Sequence, residues 1–241
     1  LVLFWVDAHS NILALPLSFF IKTLSLDVGW AFNLTNGEYS LSKEVPNYYL
    51  LLNYLYKLPE FIIFLYLISL PIILIKIKKL KDSFNNFSKK ILFILGMLIF
   101  PNIVVVLIKY PIYDGLRLFL WVTPYLVLIP AISLFVILDN KNIFFKSLKI
   151  ITIFLVIFHL YNFIKITPYH YTFLNFFAGD LDKRYKKFEN DYWSTSLKEL
   201  IISSKLNENK INFHTCGVSP EIVKNYMKQR YKRSEFTRLN E

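Results

Sequence analysis

Asp114 and Arg117 stand three residues apart in the string YPIYDGLR (110–117), and their types suggest two kinds of chemistry. A carboxylate can accept a proton from an acceptor hydroxyl or amine, and a guanidinium can hold a phosphate through two parallel hydrogen bonds. The string runs straight into an apolar stretch carrying Trp121, Pro124 and Pro130. An arginine at the mouth of a membrane-length helix is costly to place in lipid, which makes it a functional candidate. The plainer reading is that Asp114 and Arg117 pair with each other and anchor the helix end. On these residues alone both readings stand.

Asp7, Glu38, Glu44 and Glu60 fall on the same expected side of the membrane as this pair. No phosphate-cradling glycine loop, zinc-binding helix motif or nucleophile elbow occurs, so nucleotide hydrolysis and zinc-peptidase chemistry have no support. The four histidines, at positions 9, 159, 170 and 214, lack ligand spacing, and no metal site is expected from them. Asp180-Leu181-Asp182 has the spacing some sugar transferases use for a cation. Beside Lys183, Arg184, Lys186 and Lys187 it reads as a solvated charge run.

The elements that must position these residues are apolar. Hydrophobic residues make up 55% of the 241, aromatics 18% and charged residues 19%, a balance that a soluble domain could not cover with polar surface. The net charge of +11 gathers largely between apolar segments, where basic residues mark the cytoplasmic face, so nucleic acid is not an expected partner. With Cys216 alone, no internal disulfide can form.

The fold class expected is mainly α: about four clear membrane spans plus interfacial helices, with a small C-terminal soluble α/β segment. The spans are expected at 58–75, 91–108, 118–138 and 148–164. Lys76, Lys78, Lys79, Lys81, Lys89 and Lys90 against Asp82 place one linker in the cytoplasm, and Lys141, Lys146 and Lys149 place the second there. Residues 109–117 then lie on the extracytoplasmic side. Residues 11–26 are expected to form an interfacial helix, 33–39 a turn within an extramembrane loop, and 168–179 an aromatic segment along the membrane surface. His159 and Asn162 read as interhelical hydrogen-bonding groups. Residues 1–166 form the expected membrane domain and 167–241 a soluble extracytoplasmic segment. Its helices are expected at 196–206 and 220–231 and its strand at 210–216. The chain opens inside an apolar run and stops without a closing element, so a fragment is expected.

Three stretches carry a family resemblance: Tyr113-Asp114-Gly115-Leu116-Arg117-Leu118-Phe119-Leu120 with Pro124-Tyr125 and Pro130-Ala131; Asn36-Gly37-Glu38-Tyr39 with Pro46 and Tyr49; and Pro168-Tyr169-His170-Tyr171 through Asn175, Ala178-Gly179, Phe188-Glu189 and Asp191-Tyr192-Trp193. They resemble the multi-pass GT-C membrane glycosyltransferases, a group that includes the protein O-mannosyltransferase and aminoarabinose transferase relatives. The resemblance implies transfer of a sugar from a polyprenyl-phosphate donor to a glycan, lipid or protein acceptor, on the extracytoplasmic side of the plasma (inner) membrane. It implies Arg117 as a contact to the donor phosphate and Glu38, Tyr39 and Asp114 as residues lining the cleft. The family's catalytic carboxylate has no counterpart among these residues, so the catalytic residue is unassigned, and metal dependence is open. A transporter or flippase component for lipid-linked saccharides, or a non-catalytic membrane subunit, are the competing readings; a transporter would need ionisable groups deep in several spans.

Overall fold

The computed structural model describes residues 17–18, 21, 32–189, 191, 194–204, 211–213, 219–230 and 234–236. The helix expected over 11–26 lies outside the described residues except for helical positions 17, 18 and 21, and Asp7 lies outside them. The chain is mainly helical and divides into two compact units. The first holds residues up to Ile164 together with Leu174–Glu189; the second holds Lys165–Phe173 and the residues after Glu189. Leu174–Glu189 thus packs with the residues up to Ile164.

The first unit opens with a hairpin, β1 (Phe32–Thr35) and β2 (Glu38–Leu41), in register Asn33↔Ser40 and Leu34↔Tyr39. Asn36 and Gly37 both have positive φ (52° and 94°), the mirror-image turn that matches strand twist and that Asn-Gly favours. The loop expected here is therefore an ordered hairpin. Its pattern is inverted: Asn33 and Thr35 are buried, while Phe32 and Tyr39 face outward.

Four helices follow: α1 (Tyr49–Lys57), α2 (Glu60–Ile75), α3 (Ile77–Ser83) and α4 (Phe87–Leu107). Pro59 has no N–H to continue α1 and takes an extended conformation, so α2 starts afresh. The two helices meet at 113°, so α1 doubles back from the line of α2 instead of lengthening it. After a 3₁₀ turn at Arg117–Phe119 come α5 (Thr123–Asp139) and α6 (Ile143–Lys165).

Among the described residues two helices are by themselves long and apolar enough to cross a membrane, α4 with mean hydropathy 2.4 and α6 with 2.0, and the bent α1–α2 pair passes the same test when taken together. At 1.5 Å per residue they reach about 31 and 35 Å, against a hydrocarbon core of about 30 Å. Both are apolar all round and mostly exposed, as helices in lipid are. α2 and α5, at 16 and 17 residues, are shorter. The expected span at 118–138 begins late, because Pro124 occupies the first helical turn, a position that suits its missing N–H, and residues before Thr123 form the 3₁₀ turn.

The main core joins α2, α5 and the α3 linker through Leu65, Ile72, Leu80, Phe87, Val136, Ile137, Phe145 and Leu148. Tyr66 donates to the Leu126 carbonyl across α2 and α5, and Lys79 pairs with Asp139 at the lysine-rich end. A second core, Tyr49, Leu50, Ile112, Phe119 and Val122, lies beneath α1 and the 110–122 segment.

In the second unit, α7 (Leu197–Ser203) and α8 (Pro220–Arg230) pack through Ile201, Val223 and Met227. Strands β3 (Ile211–Phe213) and β4 (Ser234–Phe236) pair in parallel. The Asp191 carboxylate accepts from the N–H and hydroxyl groups of Thr195 and Ser196, closing the turn that leads into α7.

Candidate functional site

The site is built where the hairpin, α1, the 112–117 turn and the end of Leu174–Glu189 meet. Ile112 N–H donates to Ser42 O at 2.9 Å, and Asn33 Nδ2 donates to Ile112 O at 2.7 Å, fixing the turn against the hairpin. Gly37 N–H donates to Lys187 O at 3.1 Å, and Thr35 forms an antiparallel bridge with Phe188. These contacts lay residues 187–189 along β1 and bring Glu189 under it.

Tyr49 stands at the centre. Its hydroxyl accepts from Gly115 N–H at 2.9 Å and lies 3.2 Å from both Asn33 Oδ1 and Glu189 Oε2. A phenol has one proton, so it cannot donate to both acceptors at once. With Glu189 ionised the phenol proton is shared between the two acceptors; when Glu189 takes a proton it can donate to the Tyr49 oxygen and leave the phenol proton for Asn33. Burial, the largest cause, pushes the Glu189 carboxyl up to about 7 against the opposing pull of Lys57. Burial likewise raises Tyr49, with Glu189 adding to it, and pushes the Lys57 ammonium down against the pull of Glu189 and Asp114.

Gly115 is needed here for two reasons. Its φ is +62°, which a Cβ would strain, and the Lys57 ammonium packs close over the Cα, so a larger residue would also have to displace that side-chain end. Asp114, also left-handed at φ 59°, has its carboxylate buried, with Arg117 Nη1 at 3.6 Å from Oδ2. The Arg117 side chain remains 44% exposed. The guanidinium of a half-exposed arginine is thus paired with a buried carboxylate. A cavity of about 10 Å³, room for about one water, lies beside Lys57, Glu189 and Thr35.

The angle between α1 and α2 is locked by Asn175. Its Nδ2 donates to the carbonyls of Leu55 (2.6 Å) and Leu58 (2.8 Å), and its N–H donates to Tyr56 O (2.8 Å). These are the carbonyls that the end of a helix leaves unsatisfied. Glu60 opens α2, where a carboxylate suits the helix dipole, and accepts from Phe176 N–H at 2.9 Å. Leu174 and Ala178 are buried against this unit while Phe176 and Phe177 stay exposed, so the aromatic segment expected along a membrane surface is seated from Leu174 onward.

Of the residues named from sequence, Asp114 and Arg117 meet. Glu38 and Tyr39 lie exposed on β2, and neither bonds to that pair among the described residues. Asp180 pairs with Lys183 at 3.3 Å in solvent. Sequence reasoning assigned no role to Tyr49, Lys57 or Glu189. Tyr49 and Lys57 belong to a run of tyrosines and leucines with no motif of its own, and Glu189 is 140 residues from Tyr49. The available signal was Asn36-Gly37, which predicts a hairpin and therefore a strand edge for a later segment to join.

Comparison with protein-family models, curated proteins and solved structures finds no match to this chain.

Proposed function

We propose that this chain is part of an integral membrane glycosyltransferase, one that takes a sugar from a polyprenyl-phosphate donor and passes it to a glycan, lipid or protein acceptor on the extracytoplasmic side of the plasma (inner) membrane. In this reading α2, α4, α5 and α6 are four spans, with the α3 linker and the 139–149 segment cytoplasmic. The observation that carries it is the half-exposed Arg117 guanidinium held by buried Asp114. It lies on the loop between α4 and α5, at the opposite helix ends from the Lys79–Asp139 pair.

In the reaction, an acceptor hydroxyl or amine attacks the anomeric carbon. The bond from that carbon to the phosphate oxygen breaks, and the lipid phosphate leaves with the electron pair. The acceptor proton passes to a carboxylate that the family resemblance locates ahead of these residues. Arg117 stabilises the charge growing on the leaving phosphate, while Asp114 holds the guanidinium in place. No metal is needed for these roles, and none is assigned.

The transporter reading draws on one observation: Glu60 Oε2 and His159 Nδ1 face each other at 3.7 Å across α2 and α6. Glu60 is the first residue of α2, however, and His159 lies in the last two turns of α6, so the pair sits toward one end of these helices instead of at their middle, which favours the enzyme.

Donor binding tests the proposal. In the complete protein, Arg117→Ala should weaken the thermal stabilisation given by polyprenyl phosphate by about tenfold in affinity, the value of one charge-assisted hydrogen bond. An unchanged affinity would remove Arg117 from the donor site.

A further inference from the structure

Four helix ends meet on one side chain. Leu80 of α3 is fully buried, in a core it shares with Ile72 near the end of α2, Phe87 at the start of α4, Ile137 near the end of α5 and Phe145 at the start of α6. The lysine-rich linker is therefore not a loose connection. It is a short helix pinned among the ends of the helices it joins, and its lysines are held around them. Asp82 and Asp139 are the only carboxylates between Lys76 and Lys90 or between Asp139 and Lys149, and Asp139 is taken by Lys79. Lys76 lies over the Phe145 ring, and Lys149 donates to the Leu138 carbonyl. The ammonium groups of Lys78, Lys81, Lys89, Lys90 and Lys146 are exposed, and none has an ion-pair or hydrogen-bond partner among the described residues. Setting Asp82 against one of them still leaves the set strongly positive.

Lys89 and Lys90 carry the argument. They stand in the first turn of α4, where a cation opposes the helix dipole, and no acidic residue in that turn offsets them. Nothing within the helix rewards two ammonium groups at this end, so their favourable contacts lie outside the chain. α4 is long enough to cross a membrane and begins here, and Leu92 and Phe93, just past the two lysines, are exposed apolar residues. The two ammonium groups thus stand where hydrocarbon gives way to headgroups. Lys146 has the same setting in the first turn of α6, beside exposed Ile143 and Ile150.

We infer that this lysine collar is a docking surface for the anionic phosphate headgroups of the leaflet it faces, with Lys89 and Lys90 on headgroups beside α4 and Lys78, Lys81 and Lys146 extending the contact across α3 and the start of α6. A membrane fits better than a soluble polyanion because the charged set is continuous with the exposed apolar faces of α4 and α6. One lipid can meet an ammonium with its phosphate and a helix face with its chains. The collar lies at the opposite helix ends from Arg117, uses no part of the transfer reaction, and holds or fails independently of the glycosyltransferase proposal.

Native mass spectrometry of the complete protein released from nanodiscs of equal phosphatidylglycerol and phosphatidylcholine tests this. The parent should retain phosphatidylglycerol in preference, and added salt should erode that preference. Lys89→Gln combined with Lys90→Gln is the decisive variant, because it removes two cations from a helix start that does not favour them. It should unfold no earlier than the parent, yet its preference for phosphatidylglycerol should fall by about tenfold or more. Lys109→Gln, at the other end of α4, should leave the preference unchanged. A parental preference in the double variant, or an equal loss in Lys109→Gln, would overturn the inference. Equal retention of the two lipids by the parent would overturn the selection of anionic headgroups. A short oligonucleotide that displaces phosphatidylglycerol at equal concentration would overturn the choice of a membrane as partner.

Discussion

Replacing Glu189 by Gln removes a titrating group while keeping an amide of the same shape between Tyr49 and the hairpin. The native carboxyl is raised from its ordinary 4.5 to about 7, first by burial, so the folded chain holds a proton there that the unfolded chain releases earlier. The sign follows from linkage: for an acid whose folded pKa is raised, the contribution is fully present below the unfolded value and is lost as pH rises through the folded one. A move from 4.5 to about 7 corresponds to about 3 kcal/mol at most. Glu189 is only partly screened from solvent, so the measured effect should be smaller. Thermal unfolding of both chains in detergent, from pH 4.5 to pH 8, reads it directly. The parent chain should lose stability relative to Glu189→Gln across this window, with most of the divergence between pH 5 and pH 7. The difference cancels groups common to both chains that do not couple to Glu189. Parallel curves, or a parent chain that gains on the variant as pH rises, would refute the buried, proton-sharing arrangement around Tyr49.

Two further substitutions probe the framework. Gly115→Ala places a Cβ at a left-handed position and should cost about 1–2 kcal/mol, read as a lowered midpoint, with Gly115→Asn costing less because asparagine tolerates that conformation and the Lys57 side-chain end can withdraw in both variants. Asn175→Ala leaves the Leu55 and Leu58 carbonyls without their donor and should cost about 2–4 kcal/mol. Faster hydrogen exchange should appear at the α1–α2 junction in that variant, and an unchanged exchange pattern would show that Pro59 alone sets the angle.

Much of the framework is legible because it is local. Six lysines between two apolar runs mark a linker, Asn36-Gly37 marks a tight turn, and Asp114 and Arg117 are close enough in sequence to meet without any tertiary information. The segments expected as spans each contain a helix, but their bounds shifted where proline acts locally, at Pro59 and Pro124. Helices that are apolar on every side carry no stripe to say which face packs, so the α2–α5 partnership could not be read from periodicity. The Tyr49 cluster was hidden for another reason. Asn33, Lys57, Gly115 and Glu189 come from four segments, and only the bridge between Thr35 and Phe188 brings the last of them into place. Polar side chains on the buried face of β1 run against the usual alternation; in the structure that inversion is what supplies Asn33 to the site.

The central claim is that Arg117, held by Asp114, serves sugar transfer from a lipid phosphate. The most direct measurement is the movement of labelled sugar from a polyprenyl-phosphate donor to acceptor in membranes carrying the complete protein, compared across Arg117→Ala, Arg117→Lys and the parent sequence. The account predicts transfer by the parent, a fall of about a hundredfold or more in Arg117→Ala, and partial recovery in Arg117→Lys, which restores charge without the bidentate fork. Equal transfer by Arg117→Ala, or no transfer from any polyprenyl-phosphate sugar by the parent, would contradict it.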